Sequence, residues 1–295
     1  MSPGPAADTS APPRRRSADV WLRWAVDNPM LTVGLLMLTL LILFILLTPL
    51  LVRIDPLGIS AEAKLLPPGW GNLLGTDELG RDQLSRLVVG GTISLRIAFA
   101  ATALTAIFGV GLGMLSGQYP AIDIVVSQIS DSLLIFPGVV LAIMILAALG
   151  PSELNVMIAV FVLYVPRVIR TVRAAVIEYR DADFVQAARS LGASDIRILV
   201  LHIFPRAIGP TTVQLSLGFS SAILVEAGLS FLGLGAPPPE PTWGGMVSGA
   251  REYIRTAPWL IVAPGAIITY AVLSLNLIGD GLRDMLDPRS KSAGR

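Results

Sequence analysis

Long apolar segments alternate with short polar ones along the chain, and this pattern predicts helices that cross a membrane. A helical span requires about 20 apolar residues. Backbone polar groups cannot stay unpaired in lipid, so such segments are expected to be helical. The windows that contain no charged residue are 28–52, 97–122, 132–152, 207–225 and 256–279.

A sixth span is predicted between the third and fourth of these windows. The apolar segment 154–166 is short, but it becomes long enough if its helix continues to about Val176. Arg167, Arg170 and Arg173 would then lie at the helix end and extend their charged groups toward water. The chain is therefore predicted to be an all-α membrane protein with six transmembrane helices, near 30–52, 92–118, 124–149, 154–175, 208–232 and 257–279.

The distribution of basic residues orients these helices. Residues 1–29, 166–206 and 280–295 fall on one predicted face and hold 15 of the 22 Lys and Arg residues. The segments on the other face hold only six. Because cytoplasmic loops are enriched in Lys and Arg, both termini and the 166–206 loop are predicted to be cytoplasmic.

The same pattern divides the chain into segments. A Pro-, Ala-, Ser- and Arg-rich stretch, 1–19, is expected to be disordered. The cytoplasmic loop occupies 176–206 and the outer loop 233–256. The predicted segments are 1–29 (cytoplasmic tail and lead-in), 30–52 (first helix), 53–91 (extracytoplasmic segment), 92–280 (five-helix core) and 281–295 (cytoplasmic tail).

Composition excludes several kinds of site. The chain is 53% hydrophobic and 15% charged, whereas a soluble domain has about 25% charged residues. Its net charge of +1 does not favour a nucleic-acid partner. It has no Cys and a single His, His202, so neither thiolate nor multi-His metal sites are expected. We therefore predict membrane lipid around the chain and no metal site.

The cytoplasmic loop has the pattern of two short helices joined by a tight turn. Residues 183–191 favour a helix, and Gly192 suits the left-handed conformation that commonly ends one. Ser194 or Asp195 can cap a second helix, which Pro205 would end before the fifth span. The apolar stripe of that second helix would comprise Ile196, Leu199, Val200 and Ile203.

This elbow resembles the cytoplasmic EAA loop of bacterial ABC-importer permeases, with the pattern E-A-A-x3-G-x9-I-x-L-P. The acid of that pattern is replaced here by Gln186, while His202 and Phe204 replace its Ile and Leu. An H-I-x-P ending is similar to that of the dipeptide, oligopeptide and nickel permeases. In this family the loop docks into a cleft on the ATPase subunit. The resemblance thus implies a docking surface that comprises Gln186, Ala187, Ala188, Gly192, Ala193, Ser194, His202 and Pro205.

Three further stretches resemble the same branch. Residues 75–95 resemble its G-T-D-x-x-G-R-D-x-x-S-R signature, which includes Asp77, Gly80, Arg81 and Asp82. Residues 226–246 are similar to its G-L-S-F-L-G-L-G segment with the prolines and the W-G that follow. Residues 275–289 are similar to its G-D-G-L-R-D-x-L-D-P-R ending. Together with the elbow, the resemblance extends over about 25–290.

The resemblance implies a permease subunit with the type I ABC-importer fold in the bacterial cytoplasmic (inner) membrane. Its implied partners are a homologous second permease, two ATP-binding subunits and an extracytoplasmic solute-binding protein. Its implied cargo is a peptide or a related small solute, and nickel chelates remain open. A phosphate loop requires Gly directly before Lys, whereas Lys64 and Lys291 follow Ala63 and Ser290. We therefore expect no catalytic residue here, and ATP and Mg bound only by the partner subunits.

Some polar residues are candidates for the translocation pathway or for shaping the outer segment. Asp131 and Pro137 match a D-x-x-x-x-F-P pattern of these permeases, and an acid within a span should face the bundle interior or water. Glu226, near the outer end of the fifth span, allows the same interpretation. Each acid could equally be a hydrogen-bonding residue that joins helices. For Asp77 and Arg81, together with Asp82, ion pairs that order the outer segment are favoured over direct contacts with a binding protein.

Glycines have structural interpretations in two places. The series Gly109, Gly111 and Gly113 lies inside an apolar span, which favours close helix packing over a dinucleotide-binding loop. The sequence Gly279-Asp280-Gly281 predicts a break at the cytoplasmic end of the sixth helix.

Two other classes of function remain open at this stage. A carrier driven by an ion or proton gradient could use Asp131 and Glu226 and would need no ATP. An intramembrane hydrolase would need a nucleophile and a base within the spans. His202 lies in the cytoplasmic elbow and the chain has no G-x-S-G, so the hydrolase is disfavoured.

Overall fold

The computed structural model describes residues 25–286 and is built almost entirely of helices. The predicted disorder of 1–19 and residues 287–295 of the predicted C-terminal tail lie outside the described residues. The α-helices of the structure are α1 (Pro29–Leu51), α2 (Gln83–Gln118), α3 (Pro120–Ile135), α4 (Gly138–Leu149), α5 (Glu153–Tyr179), α6 (Asp183–Ser190), α7 (Asp195–Ile198), α8 (Phe204–Phe231), α9 (Trp243–Gly249) and α10 (Trp259–Leu286).

The long helices confirm an all-α architecture with six candidate spans. α1, α2, α5, α10 and the continuous run from α7 through α8 are each long and apolar enough to cross a membrane. α3 and α4 qualify only as a pair, so the described residues hold five candidate spans, or six when this bent pair counts as one. Between 25 and 286 no β-strand is formed, and one isolated bridge joins Thr76 to Asp82.

The third span differs from the single helix predicted over 124–149, because it bends by 98° between α3 and α4. A residue before proline is pushed out of the helical conformation. Phe136 is accordingly extended, with φ −76° and ψ 139°. Pro137 then begins the new direction, and Gly138 starts α4. The broken span therefore has its corner at the Phe136-Pro137 pair.

Two further helices have different bounds from those predicted. α2 begins at Gln83 rather than near residue 92, because Asp82 caps it: Oδ2 accepts a hydrogen bond from the Ser85 N–H at 2.7 Å. Residues 83–91, predicted to belong to the extracytoplasmic segment, are thus helical. α5 continues to Tyr179. Arg167 therefore lies in the middle of α5, whereas the snorkelling interpretation required it to lie at the helix end.

The predicted helix break at Gly279-Asp280-Gly281 is wrong, since α10 continues without interruption to Leu286. The glycines serve close contact instead. A Cβ on Gly281 would lie 2.5 Å from the Leu31 nitrogen of α1, and one on Gly34 would lie 2.8 Å from the Ile278 nitrogen. Glycine on both helices thus lets the α1 and α10 backbones meet. The core boundary predicted at residue 280 accordingly falls inside a helix.

Glycines of α2 and valines of α5 form a close seam between these two helices. Gly109, Gly113 and Gly117 lie one turn apart on α2, and a Cβ at each would meet a valine of α5 at 2.7, 2.7 and 2.5 Å. The valines that they face are Val168, Val172 and Val176. This is the small-residue packing by which membrane helices approach each other. The packing prediction is confirmed for Gly109 and Gly113, whereas Gly111 faces open space.

We predict that Gly113→Ala destabilises the protein and that Gly111→Ala does not. A Cβ at Gly113 would also lie 2.9 Å from the Ile169 carbonyl oxygen, so the seam must open. Overpacking of this kind costs about 1–3 kcal/mol. Thermal unfolding of the purified chain in detergent measures the effect. Equal melting temperatures for the two variants would contradict the role of the seam.

Candidate functional site

The predicted helix–turn–helix of the cytoplasmic loop is confirmed. α6 ends at Ser190, and Gly192 follows with φ +82°, the left-handed conformation that glycine adopts without strain. The Ala193 N–H donates to the Ala188 carbonyl at 3.1 Å, which closes the turn. Ser194 then caps α7 by accepting a hydrogen bond from the Arg197 N–H. We call residues 183–203 the elbow.

Pro205 does not end the second elbow helix, contrary to the prediction. α7, the π-helical turn Leu199–Ile203 and α8 form one continuous helical run. Proline lacks an N–H and clashes with the carbonyl four residues earlier. The wider π-helical turn, which ends two residues before Pro205, accommodates that defect. The elbow is thus joined rigidly to the fifth span.

Apolar packing fixes the elbow to α5. Its buried side chains form one cluster with the α5 valines of the seam; the cluster comprises Val168, Val172, Val176, Val185, Ile198, Leu199 and Ile203. Arg206 adds cation–π contacts, with its guanidinium 4.6 Å from the Phe184 ring and 5.3 Å from the Tyr179 ring. The elbow is therefore held against the C-terminal half of α5.

The opposite side of the elbow is exposed and partly apolar. Leu191 is 89% exposed and Ile196 70% exposed. Ile196 and Val200 thus lie outside the apolar stripe predicted for the second helix, because only Leu199 and Ile203 of that stripe face α5. The predicted docking residues Gln186, Ala187, Gly192, Ser194 and Pro205 are exposed too, whereas Ala188, Ala193 and His202 are half-buried.

The outer signature residues form a compact cluster of hydrogen bonds and ion pairs around Asp77 at the start of α2, which we call the Asp77 knot. Asp77 is buried, and its Oδ1 accepts hydrogen bonds from the N–H groups of Leu79 and Arg81, both at 2.9 Å. Its Oδ2 lies 2.6 Å from Arg81 Nε and 3.4 Å from Arg86 Nε. Gly80 has φ +76°, and a Cβ there would overlap the Ser60 carbonyl. One carboxylate therefore orders the loop and holds two guanidinium groups.

Asp82 and Trp243 connect this knot to its surroundings. Asp82 caps α2 and accepts a hydrogen bond from the Asn72 side chain at 3.0 Å. Trp243, at the start of α9, is fully buried and donates its indole N–H to the Leu87 carbonyl at 3.0 Å. The predicted outer loop 233–256 thus contains a helix that is packed on α2. These contacts give the outer face a fixed shape.

The pathway candidates occupy different environments. Glu226 is 0% exposed, and its Oε1 accepts a hydrogen bond from the Ser230 hydroxyl at 2.7 Å. It projects from α8 into the protein interior. Asp131 is 64% exposed and accepts a hydrogen bond from Arg170 at 2.8 Å. Pro137 forms the corner of the broken span.

Sequence inspection missed further ion pairs within the spans. Arg173 of α5 donates to Asp123 of α3, with Nη2 2.6 Å from Oδ2. Arg96 of α2 makes a bidentate pair with Glu153 at the start of α5, at 2.6 and 2.7 Å. The sequence feature that could have predicted these pairs is the position of Asp123 and Glu153, each directly after a charge-free window. Among residues 25–286 no group of three metal-ligating side chains comes together.

A family model described as "Binding-protein-dependent transport system inner membrane component" matches residues 109–292. The chain belongs to this family. It is 43% identical over 262 residues to a putative peptide transport system permease protein of Brucella abortus, covering 89% of this chain and 88% of the relative. It is 43% identical over 266 residues to the dipeptide transport system permease protein DppC of Alkalihalophilus pseudofirmus, covering 90% and 88%.

Two further proteins are similar to this chain. The glutathione transport system permease protein GsiD of Pectobacterium atrosepticum is 40% identical over 226 residues, covering 76% of this chain and 75% of the relative. A chain of the inward-facing MetNI methionine ABC transporter shares the fold, with a TM-score of 0.53 at 17% identity over 68% of this chain and 96% of that one. This member of the binding-protein-dependent family is therefore a multi-pass permease subunit of an ATP-driven importer, with a type I permease fold.

We predict that Asp77→Asn lowers the free energy of unfolding by roughly 2–3 kcal/mol, because it removes the buried carboxylate that the guanidinium groups of Arg81 and Arg86 share. Glu78→Gln is the matched control, since Glu78 is half-exposed and contacts Arg81 at 3.2 Å. It should change the free energy by less than about 0.5 kcal/mol. Thermal unfolding in detergent compares the two, and equal losses would contradict the central position of Asp77.

Proposed function

We propose that this chain forms one half of the membrane pore of a peptide importer in the bacterial cytoplasmic (inner) membrane. A homologous second permease completes the pore, two separate ATP-binding subunits bind ATP and Mg, and an extracytoplasmic solute-binding protein delivers cargo. The single observation that carries the proposal is high similarity along most of the chain to permeases named for peptides and dipeptides. A relative named for glutathione supports small peptide-like solutes in general, and nickel chelates remain an alternative cargo.

The elbow is the surface that we assign to the ATP-binding subunits. Its exposed side carries Leu191 and Ile196 beside the small residue Ala187, so a partner can approach its backbone closely and bury apolar area. Arg189 and Asp195 pair with each other across the turn at 3.2 Å, which leaves this side with little net charge. Gln186 offers an amide where related loops have an acid, so docking here depends on shape and apolar contact.

The geometry supports a mechanical transmission from ATP hydrolysis to the pore. The elbow is attached twice: through its apolar cluster to α5, and through the π-helical turn to α8. Closure of the ATP-binding subunits would therefore move both spans as rigid bodies, a common way of switching a packed structure between two states. Alternating access to the two sides of the membrane follows from that motion.

The outer face is the surface that we assign to the solute-binding protein. The Asp77 knot and the α9 loop border a cavity of about 270 Å³ that opens outward. Because both walls are fixed by buried hydrogen bonds, a docking protein would meet a preformed surface. The contrasting carrier hypothesis needs titratable groups along the pore. Glu226 is sealed in the protein and Asp131 is paired with Arg170, so the geometry does not favour it.

Purification and transport assays test this proposal directly. We expect the tagged chain, isolated in mild detergent from its native host, to bring a second permease and ATP-binding subunits in fixed proportion. In proteoliposomes, that complex with its binding protein should take up a labelled dipeptide only when ATP is present. Uptake that persists without ATP and disappears when ion gradients are dissipated would contradict the proposal and support the carrier.

The turn at Gly192 provides a sharper test of the elbow. Nothing lies within 4 Å of a Cβ added there, so a substitution acts through the backbone and not through a clash. Gly192→Val should strain the left-handed turn by more than about 1–2 kcal/mol, while Gly192→Asn should be tolerated. We expect the valine variant to insert normally but to lose uptake and co-purification of the ATP-binding subunits. Equal uptake by both variants would contradict docking through this turn.

A further inference from the structure

Three arginines follow one face of α5 at one-turn intervals, namely Arg167, Arg170 and Arg173. Arg167 lies 14 residues after Glu153, the first residue of α5, which corresponds to about 21 Å along the helix. The hydrocarbon core of a bilayer is about 30 Å thick. Arg167 lies inside the candidate span Glu153–Tyr179, and a charged side chain within a span must face protein or water and not lipid.

The three arginines differ in how their charges are balanced. Arg170 pairs with Asp131 at 2.8 Å, and Arg173 pairs with Asp123. Arg167 has no acidic partner within ion-pair distance in the described part of the chain. Its guanidinium instead lies 5.1 Å from the centre of the Tyr164 ring, an attractive contact that leaves the positive charge uncancelled. Arg167 thus remains available to an anion.

Arg167 lines a cavity of about 240 Å³ at the corner of the broken span. The cavity is bounded by α3, the Phe136–Gly138 corner, α4, α5 and Val225 of α8. Apart from Arg167 and Tyr164, its side chains are apolar. An apolar cavity with one charged group positioned at its wall is the usual composition of a small-molecule site.

We propose that Arg167 binds the carboxylate of the cargo as it crosses the membrane, an inference that rests on the proposed function of peptide import. Every unmodified peptide carries a terminal carboxylate, whose transfer into an apolar cavity is costly without a counterion. A guanidinium offers paired donors that match a carboxylate. Arg167 therefore lowers the barrier for entry of the anionic end, as basic rings do in anion-selective pores.

The test uses the complete complex with its binding protein in proteoliposomes. Initial uptake of a labelled dipeptide is measured with saturating loaded binding protein, next to ATP hydrolysis and subunit stoichiometry. Loss of a hydrogen bond to a charged group corresponds to a factor of about 10–100. We expect Arg167→Gln to lower uptake by that factor while assembly and stimulated ATP hydrolysis persist. Arg167→Lys should retain uptake within about threefold, because it keeps the charge.

The matched control replaces a balanced charge on the same helix. In Asp123→Asn/Arg173→Gln both members of an ion pair are neutralised together, so net charge is kept and uptake should stay within about threefold of the wild type. A comparable loss in this control would overturn the proposal, because it would show that any arginine of α5 is needed. Undiminished uptake by Arg167→Gln would overturn it as well.

Two other sources of an anion give distinct results. If Arg167 pairs with a carboxylate of a partner subunit, Arg167→Gln will lose assembly or ATP hydrolysis together with uptake. If it pairs with a lipid phosphate, the defect will vary between phosphatidylcholine vesicles with and without phosphatidylglycerol. Either result overturns cargo binding. A wild-type complex that takes up no peptide overturns the proposed cargo itself, whereas peptide uptake with an unaffected Arg167→Gln variant overturns only this inference.

Discussion

The structure depends on a stripe of three valines, Val168, Val172 and Val176, on α5. On one side these residues fill the space that glycines leave open on α2. On the other side they belong to the apolar cluster that holds the elbow. Packed interiors do not deform continuously, so a shift of the elbow must move α5 against α2 or carry both. The same side chains thus connect the elbow with the α2–α5 seam.

Charge placement within the spans follows a second constraint, the cost of unbalanced charge at membrane depth. Arg96, Arg170 and Arg173 each find a carboxylate on another helix, so they join helices as well as cancel charge. Arg167 continues the three-residue spacing of Arg170 and Arg173 on α5. Its neighbour in the cavity is the aromatic ring of Tyr164 and not a carboxylate.

Most of the architecture follows from local sequence rules. Apolar length gave the spans, and Gly192 with Ser194 gave the turn and cap of the elbow, since both depend on residues close in the chain. The errors came from distant contacts. Gly281 was interpreted as a helix break, but its role is set by Leu31 of α1, far away in sequence. Likewise, Pro205 is tolerated because a π-helical turn precedes it, which no propensity rule predicts. The partner of Arg170 also depends on which helices become neighbours, because Asp131 lies on α3.

The exposed ion pair between Asp131 and Arg170 limits what can surround this part of the chain in a membrane. Asp131 and Arg170 are 64% and 63% exposed in the isolated chain, yet both belong to candidate spans. An exposed ion pair gains little in water, and in lipid its exposed groups would lack the hydrogen bonds that they need. This face of α3 and α5 must therefore be covered by protein or line a water-filled space. The leucine-rich α1, in contrast, can face lipid at no cost. A second permease that packs on the α3–α5 side would cover these charged groups and leave α1 in contact with lipid. It would also close the cavity that Arg167 lines.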